Sequence, residues 1–174
     1  MGMSAPDMVA AVRQAFGDSI RDSHEHCGDA TVVVQREDAL EILRELRDRS
    51  EFALNLLIDV TAVDYLGRTP RFEVVYHLFS VPKSHRLRVK IGVSEDDPWV
   101  YSLVPLWKAA NWLEREAWDM FGIRFVGHPD LRRILLYEQF VGHPLRKDYP
   151  VTKRQPIIEE RDAVENDWKF YGKA

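Results

Sequence analysis

Two consecutive runs alternate residue by residue and do most to restrict the fold. In "RFEVVYHLFS", Phe72, Val74, Tyr76 and Leu78 fall on one side. In "HRLRVKIGV", Leu87, Val89, Ile91 and Val93 alternate with Arg86, Arg88 and Lys90. A period of two with one apolar and one wet side predicts neighbouring antiparallel strands whose sheet is covered on one face. Pro82-Lys83-Ser84 joins these runs as a hairpin loop, and Gly67–Pro70 precedes the first. Two further strands are expected, one in "ATVVVQ" and one near 56–65. The covering layer comes from segments of helical period. Residues 6–17 start at Pro6 and stop at Gly17. "REDALEILRELRDRS" puts Ala39, Ile42, Leu43 and Leu46 on one face. Leu106, Ala110, Leu113, Ala117 and Met120 step by three and four until Gly122. The expected fold is α+β, a mostly antiparallel sheet with helices packed on one face. "DSIRDSHEHCGD", at 18–29, reads as a polar connector.

Beyond residue 122 the periodicity dissolves into Gly, Pro, His and Arg. Residues 1–122 are expected to form the globular domain, and 123–174 an extended basic arm and tail that is not an independent domain. The arm repeats a pentapeptide, Phe-Val-Gly-His-Pro, at 125–129 and 140–144. One repetition is too little for a solenoid. Residues 124–154 hold seven Lys/Arg and three Asp/Glu; the remainder holds 17 basic and 25 acidic residues. A cationic arm on an acidic body predicts contact with an acidic partner surface. The tail after Pro150 is expected to drape over a partner.

Several function classes are disfavoured. A net charge of −4 argues against nucleic-acid binding. No apolar run approaches the roughly 18–20 residues of a membrane span, and the N-terminal segment does not read as a secretory signal. Cys27 is the single cysteine, so neither an internal disulfide nor an iron–sulfur cluster, which takes about four thiolates, is expected. There is no Gly-x-Gly and no phosphate-cradling Gly-Lys-Ser/Thr loop, so no cofactor is expected in this chain.

Three clusters could carry chemistry. His128 and His143 with Asp130 and Asp148 could ligate a metal. Each histidine precedes proline, however, which favours extended backbone, and none has helical His-x-x-x-His spacing. His24, His26 and Cys27 are close in sequence but lack a fourth ligand, and a solvated loop is the better reading. Glu114, Glu116 and Asp119 bring three carboxylates to one helix. A clamp on Arg132, Arg133 and Arg146 of the arm is favoured over acid–base catalysis. Four of the five tryptophans lie at 99–118, more indole than a small core can bury with its N–H groups satisfied, so the surplus suggests an interface.

"EREAWDMFGIRFVGHPDLRRIL" resembles the hallmark segment of the C subunit of the proton-pumping NADH–quinone oxidoreductase, respiratory complex I. Glu114, Arg115, Glu116, Asp119, Met120, Phe121, His128, Arg132, Ile134 and Leu135 occupy the positions of that pattern. "GHPLRKDYP", at 142–150, is similar to the family's tail, and 30–121 has its order of elements. The resemblance implies a cofactor-free subunit of the peripheral arm, on the cytoplasmic side of the membrane. Electrons would pass from NADH through FMN and iron–sulfur clusters in partner subunits to quinone, coupled to proton translocation. It implies partners in the quinone-site subunit (the D subunit of that complex), as a separate chain, and in the nearby iron–sulfur subunits, with membrane contact only through the complex. The residues expected to dock are Glu114, Arg115, Glu116, Asp119, His128, Asp130, Arg132, Arg133, His143, Arg146, Lys147 and Asp148. Alternatives are the equivalent subunit of a membrane-bound hydrogenase-type complex, a freestanding His/Asp metal-dependent hydrolase, and a binding module for acidic proteins.

Overall fold

The computed structural model describes residues 2–155. The elements in chain order are α1 (Ala5–Phe16), β1 (Ile20–His26), β2 (Asp29–Val34), α2 (Ala39–Asp48), β3 (Leu56–Asp64), β4 (Phe72–Ser80), β5 (His85–Val93), β6 (Trp99–Tyr101), α3 (Ala110–Phe121) and β7 (Arg124–Val126). Five strands form one sheet in the order β1-β2-β5-β4-β3. Three of its four pairings are antiparallel, and β2 with β5 is parallel. The alternation expected of β4 and β5 holds, with Val74 opposite Ile91 and Tyr76 opposite Val89, all four buried. The helices supply Met8, Val12, Ile42, Leu43, Leu46 and Ala117 to the same core. The other sheet face carries pairs such as Lys90–Glu73 at 2.9 Å and Arg88–Asp29 at 3.3 Å.

Three local readings change. The polar stretch at 18–29 contains the edge strand β1, in which Ile20 alone is buried. A strand exposed on nearly all its side chains shows no hydrophobic alternation; its main-chain pairing to β2 holds it. The last helix starts at Ala110, not near Leu106, because 103–109 fold into turns that close on Leu103 O. Finally, β7 lies within the segment expected to be extended. It pairs in parallel with β6, Val100 opposite Phe125, so the root of the arm is a strand with Phe125 buried. Three-residue strands are too short to show a period. Trp168 and most of the tail lie outside the described residues.

Candidate functional site: an arm folded along one helix

The arm lies along α3, and α3 offers it a stripe spaced by four. Asn111, Arg115 and Asp119 recur at i, i+4 and i+8, and such residues share a helix face. Each holds a different part of the arm. The Asn111 carbonyl accepts from His128 Nε2 at 2.9 Å. Arg115 donates to the carbonyls of Arg132 (3.1 Å) and Arg133 (3.0 Å). Asp119 holds the most. Its Oδ2 accepts from the N–H groups of Ile134, Leu135 and Leu136 at 3.2, 3.0 and 2.9 Å, and its Oδ1 accepts from Arg133 at 2.5 Å. Burial alone would raise this carboxyl; the Leu136, Leu135, Arg133 and Ile134 donors outweigh that and hold it below the ordinary carboxylate range.

The two pentapeptide repeats are two turns docked on this helix. Gly127 and Gly142 are both left-handed, with φ of 87° and 102°. In the first turn His128 Nδ1 accepts the Asp130 N–H at 3.0 Å, which leaves the proton on Nε2 for Asn111. In the second, His143 Nδ1 donates to the Asp119 carbonyl at 2.9 Å. The two carbonyls are eight residues apart, about 12 Å along the helix. Arg133 steadies the second turn, donating to Phe140 O at 3.0 Å and Gly142 O at 3.2 Å.

The end of α3 is closed by the arm itself. Its last carbonyls lack helical partners, and Arg146 Nε donates to Phe121 O at 2.6 Å. Gly122 ends the helix with φ of 77°. A Cβ there would sit 2.6 Å from the His143 ring and 2.9 Å from Arg146, so glycine is required for its conformation and for the close approach. Burial, with the charges of Arg146 and Arg133, keeps His143 below the ordinary histidine range despite its bond to Asp119 O.

Beyond α3 the arm returns to the sheet at Arg71, a residue that no sequence motif marked. Arg71 is buried and grips Asp64 with two bonds, 2.9 and 2.8 Å. It also meets Glu95, and Asp148 of the arm at 2.8 Å, while the Lys147 N–H donates to Asp64 at 2.8 Å. The Arg71 guanidinium holds Asp64 and Asp148 below the usual carboxylate range. Asp64 closes β3 and Arg71 opens the way to β4. An Asp and an Arg either side of a hairpin were the available signal.

Not every expected site residue joins this arrangement. Glu114 faces the core: it is fully buried and accepts from Ser102 and Leu103, so it is not an arm clamp. Its position on the helix, i+4 from Ala110 and i−3 from Ala117, both buried, turns it inward. Glu116 is exposed and makes no hydrogen bond or ion pair among the described residues. Arg132 pairs with Asp130 at 2.9 Å on the surface. Among the described residues no three His, Cys, Asp or Glu side chains come together as a metal site. His128 has both ring nitrogens engaged in protein hydrogen bonds, which removes it as a ligand. His24 and His26 stand on β1, with Cys27 exposed at the hairpin tip.

Comparison with known proteins decides what carries this arm. Residues 32–155 match the family described as "Respiratory-chain NADH dehydrogenase, 30 Kd subunit". The C subunit of the NADH-quinone oxidoreductase of Citrifermentans bemidjiense is 51% identical over 143 residues, covering 82% of this chain and 88% of that one. This chain belongs to the 30 kDa subunit family of respiratory-chain NADH dehydrogenase. The corresponding C subunit of Roseiflexus castenholzii agrees, 49% identical over 151 residues and 87% of each chain. Among solved structures, the trypsin-resistant fragment (1–134) of Nqo5 matches with a TM-score of 0.62 and 37% identity, covering 73% of this chain and 99% of that one. An archaeal membrane-bound sulfane sulfur reductase shares the fold, with a TM-score of 0.69 at 20% identity over 84% of this chain and 86% of that one. The family's matched span contains the α3 stripe, both repeated turns and Arg71. Among the described residues of this 30 kDa-family subunit, no helix is long and apolar enough to cross a membrane.

Proposed function

We propose that this chain is a cofactor-free structural and assembly subunit of the peripheral arm of respiratory complex I. In that complex electrons pass from NADH through FMN and iron–sulfur clusters, held by other subunits, to quinone, coupled to proton translocation. The partners are the quinone-site subunit and the adjacent iron–sulfur subunits, on the cytoplasmic side of the membrane. Contact with the membrane is through the complex.

One observation carries the reading: the arm is pinned by its backbone and polar groups while several of its apolar side chains face out. Leu135 is 61% exposed, and Val141 and Leu145 are each 54% exposed, with Trp112 of α3 at 69%. Apolar side chains on an irregular segment held this firmly fit a docking surface ordered before it meets its partner, which lowers the entropic cost of binding. The single cysteine and the engaged His128 nitrogens support a role without redox or metal chemistry of its own.

The test is recovery of the tagged chain from its own cells in mild detergent, followed by mass spectrometry. Co-recovery of the quinone-site and iron–sulfur subunits is expected. Leu135→Asp and Leu145→Asp should lose them while the chain stays folded. Recovery of the chain alone, or intact assembly with both variants, would refute the docking reading.

A further inference from the structure

Outside the arm contacts, Glu114 is a buried ionisable group that the docking reading leaves without a role. Glu114 is fully buried on α3. Its Oε1 accepts the Leu103 N–H at 2.6 Å and its Oε2 accepts the Ser102 hydroxyl at 2.7 Å. Ser102 in turn donates its own N–H to Val126 O, the last carbonyl of β7, at 2.9 Å. Two residues later His128 returns to α3 through Asn111 O. The contacts close a ring: Glu114, Ser102, Val126, His128, Asn111 and the helix turn back to Glu114. That ring encloses the root of the arm.

The ring contains no cation for its carboxylate. Glu114 forms no ion pair among the described residues. The titratable group facing it from β4 is Tyr76, whose buried hydroxyl has no hydrogen-bond partner among the described residues. The 102–104 segment offers only Ser102 and main chain. On α3, Arg115 is turned to the arm and Glu116 to solvent. Burial pushes the Glu114 carboxyl up to about 7, against the pull of Ser102 and Leu103, and a charge there lifts the Tyr76 phenol, which burial already raises. With the proton on Glu114, Ser102 Oγ can accept where it otherwise donates, so the Glu114–Ser102 contact persists without a buried charge.

We propose that Glu114 is a proton-operated latch on the root of the arm: protonated, it closes the ring on α3, and ionised, it lets the 102–104 segment and β7 open. The inference rests on the docking reading only for its consequence, a proton-linked arm; its test reads the isolated full chain.

The measurement is a carbon-13 titration of the Glu114 carboxyl together with amide exchange at Ser102 and Leu103, corrected for intrinsic rates. The titration midpoint should fall near pH 7. Between pH 5 and that midpoint the opened ring holds one proton fewer, so its opening constant should rise about tenfold per pH unit, then level off. The amide of Val89 in β5 should show no such slope. Glu114→Gln, which cannot ionise, should be flat throughout. A midpoint in the ordinary carboxylate range, or pH-independent opening of the wild-type ring, overturns the latch whether or not the Gln variant folds.

Discussion

Asp119→Asn isolates what holds the arm to α3. The carboxylate is fully buried and serves four donors with two oxygens: three backbone N–H groups and the Arg133 guanidinium. Asparagine keeps the volume but has one acceptor oxygen, and its amide turns two hydrogens toward donors. The variant loses a charge-assisted bond to Arg133, worth about 1.5–3 kcal/mol, and orphans at least one N–H at about 1–3 kcal/mol. Residues 134–136 are partly open to water, which discounts the second figure. About 3 kcal/mol remains, a factor of about 100 in the opening of the loop. That loss is expected to stay local, because the loop lends the core only the half-buried Leu131 and Leu136. Amide exchange by NMR should show Ile134, Leu135 and Leu136 exchanging about 100-fold faster, with Tyr76 and Val89 unchanged. If the loop amides kept their wild-type rates, Asp119 would not be the anchor. If the core amides accelerated equally, the arm and the domain would be one cooperative unit and the local reasoning would fail.

Gly122→Ala forces a Cβ into the His143 ring and strains a left-handed cap; a loss of about 1–3 kcal/mol is expected, read as a lowered melting temperature with displaced His143 resonances. Arg71→Met leaves Asp64 buried without its guanidinium and should cost about 3–5 kcal/mol by denaturant unfolding, while Arg71→Met with Asp64→Asn should recover much of it. Asp64 and Asp119 are both held below the ordinary carboxylate range, so their stabilisation is complete above that range and is lost as pH falls through their folded values. Acid unfolding followed by circular dichroism should therefore begin at higher pH, and be less steep, in Asp64→Asn than in wild type.

The sheet was legible where side chains had to alternate. β4 and β5 each bury one side against helices, so their burial pattern is written residue by residue. β1 was hidden because an edge strand with wet side chains is specified by main-chain pairing, which leaves no mark on composition. β6 and β7 were hidden by length. For the site, Asp119 and Arg133 were visible as opposite charges around a helix end, and Gly122 as a helix stop. Arg71 was marked only by Asp64 seven residues before it across a hairpin, since its arm partner Asp148 lies 77 residues away. Glu114 was read as an arm clamp because a carboxylate beside the apolar stripe of α3 is not expected to be buried; Ser102 and Leu103, in a turn without periodicity, supply the donors that let it turn inward.

The arm's charge illustrates how a sequence pattern and a surface differ. Its seven cations suggest an electrostatic dock, yet most are engaged within the chain. Arg124 reaches Asp97, Arg132 reaches Asp130, Arg133 reaches Asp119, Arg146 caps α3 and Lys153 donates to Val141 O. Lys147 and Arg154 alone carry no hydrogen bond or ion pair through their side chains among the described residues. The internal contacts account for why the cations are there: an irregular segment with few buried side chains must be held by bonds to carbonyls and carboxylates. What it presents outward includes Leu135, Val141 and Leu145. If binding draws mainly on these, partner affinity should change little with salt, whereas a dock of seven exposed cations would weaken steeply as ionic strength rises. Titrating assembly of the chain with its partners between about 50 and 500 mM salt separates the two, because the Debye length falls from about 14 Å to about 4 Å across that range.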